Sequence, residues 1–156
     1  MFKIYSLLII SSILINCGGG DSSNNENNES AVHANLILRD KFNQEASTFI
    51  QGEEIDFYLT SNNTTNEPIT LTFSDSQQYE FYITSASGGE VWRWSADKVF
   101  AQINSQLILP AQGTIEASED WDQILLVGGS IPIGSYIAFG SFKDQSSIAQ
   151  FRFVVQ

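Results

Sequence analysis

The chain has 156 residues, with 7 lysines and arginines against 18 aspartates and glutamates and a formal net charge of −11. A chain this acidic lacks the positive patch that holds nucleic-acid phosphates, and its surface is repelled by anionic lipid headgroups. Its single cysteine excludes an intramolecular disulfide, so a fold of this length must stand on one apolar core, for which 42% hydrophobic residues suffice.

Met1-Phe2-Lys3 is a short positive start, and residues 4–15 form an apolar run broken by three serines and a tyrosine. A membrane-spanning helix needs about 20 apolar residues, so this run suits the hydrophobic part of a secretory signal instead. Leu14-Ile15-Asn16-Cys17 follows directly and resembles a bacterial lipoprotein box, with Asn16 where a small residue is usual. The expectation is a signal peptide over 1–16, removed on export, and diacylglycerol on Cys17. One acyl chain binds a membrane only marginally, whereas the two or three of a lipoprotein anchor it stably. The protein is therefore expected to be exported and lipid-anchored to the bacterial cell envelope through Cys17. Gly18 is compatible with outer-membrane sorting in a cell with two membranes. Residues 17–31, CGGGDSSNNENNESA, carry no large apolar side chain and read as a flexible tether. Such a segment reaches roughly 20 Å.

Residues 32–156 form the expected domain. Alternation with a period of two marks strands at 33–39 and 54–60, where Ile55, Phe57 and Leu59 share one face. A turn cluster, NNTTNEP, fills 62–68. Further strands are read at 69–74, with Ile69, Leu71 and Phe73 inward, and at 79–84, with Tyr79, Phe81 and Ile83 on one face. Ser85 to Gly89 turns the chain into a hairpin with 90–94. Later strands are expected at 106–109, at 114–117 with an extension to Trp121, at 135–142 and at 148–155. No window sustains an apolar repeat at helical spacing, apart from a single turn at 96–101. About seven to nine short strands indicate an all-β antiparallel β-sandwich, immunoglobulin-like in architecture but without the cysteine–tryptophan–cysteine pattern of antibody domains.

Trp92 and Trp94 point to one face of their strand, with Val91 and Arg93 on the other. A pair of indoles can form a cage for a sugar or a cation. In a domain without a disulfide they are better explained as core, or as a cover over an open end of the sandwich.

The same residues carry a family resemblance. Gly52 followed by Glu-Ile-Asp-Phe-Tyr-Leu at 54–59, then Asn62-Asn63, ITLTFS at 69–74 and QYEFYI at 78–83 lead to GEVWRWS at 89–95 and Lys98-Val99-Phe100. Leu-Ile-Leu-Pro-Ala at 107–111, Glu116 to Trp121 and Gly134-Ser135-Tyr136 complete the run. Over residues 35 to 155 this resembles the intracellular proteinase inhibitor family known as BsuPI. The resemblance implies an immunoglobulin-like sandwich, and inhibition of a serine proteinase. It supplies no reactive-site residues.

Catalytic chemistry finds little to work with. The only histidine, His33, sits beside the tether and reads as an exposed polar residue rather than part of a triad. Glu116, Glu119, Asp120 and Asp122 surround Trp121 but lack a calcium-loop pattern, and they read as a solvated strand end. Gly128-Gly129-Ser130 lacks the lysine and helix of a phosphate loop. No enzyme, metal or cofactor is expected.

An inhibitor without catalysis would act sterically, by inserting a preorganised loop into the proteinase cleft. Two loops carry apolar residues where turn chemistry expects polar ones: 43–51, with Phe49 and Ile50, and 127–135, with Ile131, Pro132 and Ile133. These five are the candidate binding residues. The expected partner is a serine proteinase or another envelope protein. The alternative is a non-inhibitory structural or assembly module of the envelope.

Overall fold

The computed structural model describes residues 31–143 and 147–156; the signal segment, Cys17 and the tether before Ala31 lie outside them. Ten strands follow in chain order: β1 (Val32–Arg39), β2 (Thr48–Phe49), β3 (Ile55–Asn63), β4 (Ile69–Phe73), β5 (Tyr79–Ser85), β6 (Glu90–Arg93), β7 (Ser105–Leu109), β8 (Thr114–Trp121), β9 (Gly134–Phe142) and β10 (Ala149–Val155). No helix occurs among the described residues. The strands form a three-stranded sheet, β1-β3-β8, a five-stranded sheet, β2-β10-β9-β5-β6, and a β4-β7 pair. The chain is all-β, a sandwich whose ladders are antiparallel except where β2 lies parallel to β10.

The alternation does what it should. Ile55, Phe57 and Leu59 from β3 face Phe81 and Ile83 from β5 and Ala138 from β9, all fully buried. Phe57 and Phe81 meet at 5.5 Å between ring centroids, joining the two sheets. Gly140 occupies an inward position on β9 where a methyl group would come within 3.1 Å of the Phe81 ring and 3.2 Å of Leu59. That close approach needs the missing side chain.

Three local features depart from the strand pattern read off the residues. The first is β2, inside a segment expected to be loop. Thr48 and Phe49 pair with Val154 and Val155, and Phe49 is 1% exposed, set edge-on against Phe153 at 6.0 Å. A strand of two residues has no period to read. The second is the end of β3, which runs through Asn62 and Asn63 of the expected turn. Asn63 is buried; its amide donates to the carbonyls of Glu67 (2.8 Å) and Pro110 (2.9 Å), and its Oδ1 accepts from the Thr65 amide (2.9 Å). It organises the turn from inside the sheet. The third is Val91. Ile83 pairs with Trp92 and Thr84 with Glu90, so Val91 is the extra residue of a β-bulge. It packs on the core instead of sharing the outer face with Arg93.

Two edges border the same open side of the sandwich: β8 of the smaller sheet and β6 of the larger. Aromatic rings close the gap. Trp92 lies between Phe57 (5.4 Å) and Trp121 (5.3 Å). Trp94 lies against Tyr79 (4.7 Å) and Phe100 (5.7 Å), with the Lys98 ammonium 4.7 Å above its ring. Both indoles are half-buried and already packed by the protein's own rings, so they form a cover over the open side and not an empty cage.

Candidate functional site

At one end of the sandwich the β2–β3 turn meets the long β8–β9 connection. Gln123 joins them. It is fully buried, and its backbone sits at φ 63°, a left-handed conformation that turns the chain back towards the sheet. Its Nε2 donates to the carbonyls of Ile50 (2.9 Å) and Glu53 (2.8 Å), while its Oε1 accepts from the Gly52 amide (3.1 Å). Its own carbonyl accepts from the Ile131 amide at 2.8 Å. Every polar atom of this buried amide is therefore used, as burial requires.

Other bonds tighten the same junction. Gln51 donates its side-chain amide to the Ile131 carbonyl (2.6 Å), and the Tyr136 hydroxyl donates to the Pro132 carbonyl (2.8 Å). Burial raises the Tyr136 pKa above its ordinary value, so this hydroxyl keeps its proton to donate. The Ile50 amide donates to the Glu53 carboxylate, and the turn between them passes through Gly52 at φ 83°, which favours glycine.

The rest of the β8–β9 connection is held from two sides. The Trp121 indole donates to the Ile124 carbonyl (2.9 Å), and the Leu126 amide donates to the carbonyl of the bulged Val91 (3.2 Å). A bridge between Ile124 and Ser130 narrows the loop, and Gly128 and Gly129, both at positive φ, close it. Val127 at its tip is 92% exposed.

The two candidate loops therefore do meet. Of the five candidate residues, Ile50, Pro132 and Ile133 are exposed on this rim. Phe49 and Ile131 are not: both are buried in the main core, so neither presents surface to a partner. Their side chains hold the exposed neighbours in place. Ile124, Leu126 and Val127 add apolar surface to the rim that the loop boundaries had only partly included. Gln123 was not singled out in the sequence, because nothing in a lone glutamine between Asp122 and Ile124 marks it as buried.

The open side differs in character. Between β8 and the chain leaving β6 lies a cleft of about 300 Å³, walled by Trp92, Trp94 and Trp121 and lined by Asp97, Glu119, Asp120 and Asp122. The Tyr79 hydroxyl donates to Glu119 at 2.5 Å; burial, with this bond and its charge, raises the Tyr79 pKa. Arg93 points the other way, over the Tyr82 ring and onto Glu80 and Glu90. Its bond to Glu90 in particular raises the guanidinium pKa further. Glu80 also accepts from the amide and hydroxyl of Ser95, which fixes how the chain leaves β6. His33 is exposed on β1.

Among family sequence patterns, the one described as BsuPI, intracellular proteinase inhibitor, matches residues 41–147. No curated protein matches the chain by sequence. Among solved structures the chain is similar to Pseudomonas fluorescens alkylpurine DNA glycosylase AlkC bound to DNA with an abasic-site analog, at 12% identity and TM-score 0.49 over 81% of this chain and 30% of that one. It is similar to the metal-bound CARDB domain of a Pyrococcus furiosus protein, at 10% identity and TM-score 0.46 over 81% and 90%. A third is the Listeria innocua β-glucosidase in complex with glucose, at 10% identity and TM-score 0.43 over 78% and 16%. The chain spans less than a third of the glycosylase and about a sixth of the glucosidase.

Proposed function

Because the chain belongs to the BsuPI family of intracellular proteinase inhibitors, we propose that it is an inhibitor-like, lipid-anchored domain that binds a serine proteinase and blocks it sterically. The observation that carries this reading is the rim. Ile50, Pro132 and Ile133 are exposed on loops whose backbones are tied together by the buried Gln123. Loops fixed before contact lose little entropy on binding, which is what a plug for an active-site cleft requires. Insertion needs no chemistry from the plug, so the domain has no catalytic role to fill. The lipoprotein box at Cys17 puts its target on the exported side of the membrane, unlike the compartment in the family's name.

The test is titration of the full chain, purified in neutral detergent, against a panel of serine proteinases. Stoichiometric inhibition of at least one, weakened by Ile133→Asp or Ile50→Asp at the exposed rim, is the expected result. Cleavage of the chain, or indifference across the panel, overturns it and favours the structural envelope module. Anchoring is tested separately: a tagged fatty acid should be incorporated by the wild type and not by Cys17→Ser.

A further inference from the structure

Each outer strand of a sheet presents unpaired backbone donors and acceptors, and folded proteins usually block them. Three of the four edges in the two larger sheets are blocked or short. On β1, the Ala34 amide donates to the Ser147 hydroxyl (3.1 Å). On β6, the Val91 carbonyl accepts from the Leu126 amide. β2 is two residues long. The fourth edge, β8, is eight residues long, and on the side away from β3 its backbone bonds to no other element among the described residues.

The side chains along β8 say what can pair there. Thr114, Glu116, Ser118 and Asp120 are exposed on one face. A second copy laid antiparallel about Ser118 would set Glu116 directly opposite Asp120, and like charges placed so are destabilising. Self-pairing is thus disfavoured, while a strand carrying cations at alternate positions gains at each of them. The cleft beside Glu119 and Asp120 extends the preference, since its carboxylates outnumber its one cation, Lys98.

We propose that the free edge of β8 takes an extended basic segment of a protein partner, which adds a strand to the three-stranded sheet through main-chain hydrogen bonds and places lysine or arginine side chains over Glu116 and Asp120. This is strand addition, with register set by charge. It is a surface separate from the rim, and it holds whether or not the rim closes a proteinase.

The probe is a fluorescein-labelled octapeptide of alternating lysine and valine, blocked at both ends, with a glutamate-for-lysine peptide as its counterpart. Anisotropy is measured against the full chain in neutral detergent. The lysine peptide is expected to bind at least about tenfold more tightly than the glutamate peptide, and less tightly as salt is raised. Hydrogen exchange of amides in 114–121 should slow on binding. The double variant Glu116→Lys/Asp120→Lys, with its urea midpoint measured alongside to confirm that it is folded, should lose about tenfold in affinity, one decade being about 1.4 kcal/mol. Equal binding of both peptides, binding without protection of 114–121, or undiminished binding by the variant overturns the proposal.

Discussion

The rim and the open side solve opposite problems with opposite materials. At the rim a polar group, Gln123, is buried so that apolar side chains can stay outside. At the open side apolar rings are packed inward, and carboxylates remain outside. The rim is specific because its hydrogen bonds admit one arrangement of the two loops. The open side is held mainly by area: rings with centroids 4.7–5.4 Å apart tolerate small shifts, and only Trp121 and Tyr79 among them add a hydrogen bond, to Ile124 and Glu119. Damage should therefore cost more stability at the open side and more loop order at the rim.

The largest expected effect is Trp121→Ala. Its ring is 2% exposed and touches Phe57 and Trp92, and its indole donor also supports the rim loop, so it belongs to both regions. Chemical denaturation should show a loss of about 3–5 kcal/mol. Next is Gln123→Ala, which leaves the Ile50 and Glu53 carbonyls and the Gly52 amide without their partner, at about 1–3 kcal/mol. Its signature is local: faster hydrogen exchange at 50–53 and 131–133 than elsewhere. A uniform increase would mean that the two loops are not a separate unit.

Smaller still is the contrast between two conservative changes. The Trp94 indole N–H is buried without a hydrogen-bond partner among the described residues, so Trp94→Phe gives up ring area but none of their bonds. Trp121→Phe strands the Ile124 carbonyl and should cost about 1 kcal/mol more. Equal losses would dissolve the distinction between area and bond.

The smallest is Asp120→Asn. Asp120 lies directly across the ladder from Asp56, whose pKa is raised from 3.8, first by burial and then by Asp120 and Glu54, against the lowering pull of Arg39. A raised carboxyl pKa means that the folded state holds the proton more tightly than the unfolded one, so this group's contribution falls as pH rises through the folded value. Removing the opposing charge should stabilise by a few tenths of a kcal/mol near neutral pH. The gain should vanish once Asp56 is protonated, and thermal unfolding at the two extremes reads it.

Most of the strand framework was legible because its signal is local. A residue such as Phe57 or Ala138 announces its face through its neighbours at two-residue spacing. What escaped depends on contacts far along the chain. Thr48 and Phe49 become a strand only because Val154 and Val155 lie beside them. Val91 turns inward because the β5–β6 ladder slips by one residue, which no alternation in 90–94 encodes. The rim was half legible. An isoleucine in a loop looks the same whether it projects, as Ile133 does, or anchors, as Ile131 does, until the Gln123 bonds show which way the backbone turns.

The direction of β1 has a mechanical consequence. It enters the sheet at Val32, opposite Asn63, and leaves at Arg39, opposite Asp56, so its eight residues run the length of the smaller sheet. At about 3.3 Å per residue that is roughly 25 Å of stiff spacer. Whatever tugs on the chain before Val32 pulls on the pole away from Ile50 and Ile133. A load applied there would shear the β1–β3 ladder before it reached the loops, which keep their shape at the opposite end of the sheet.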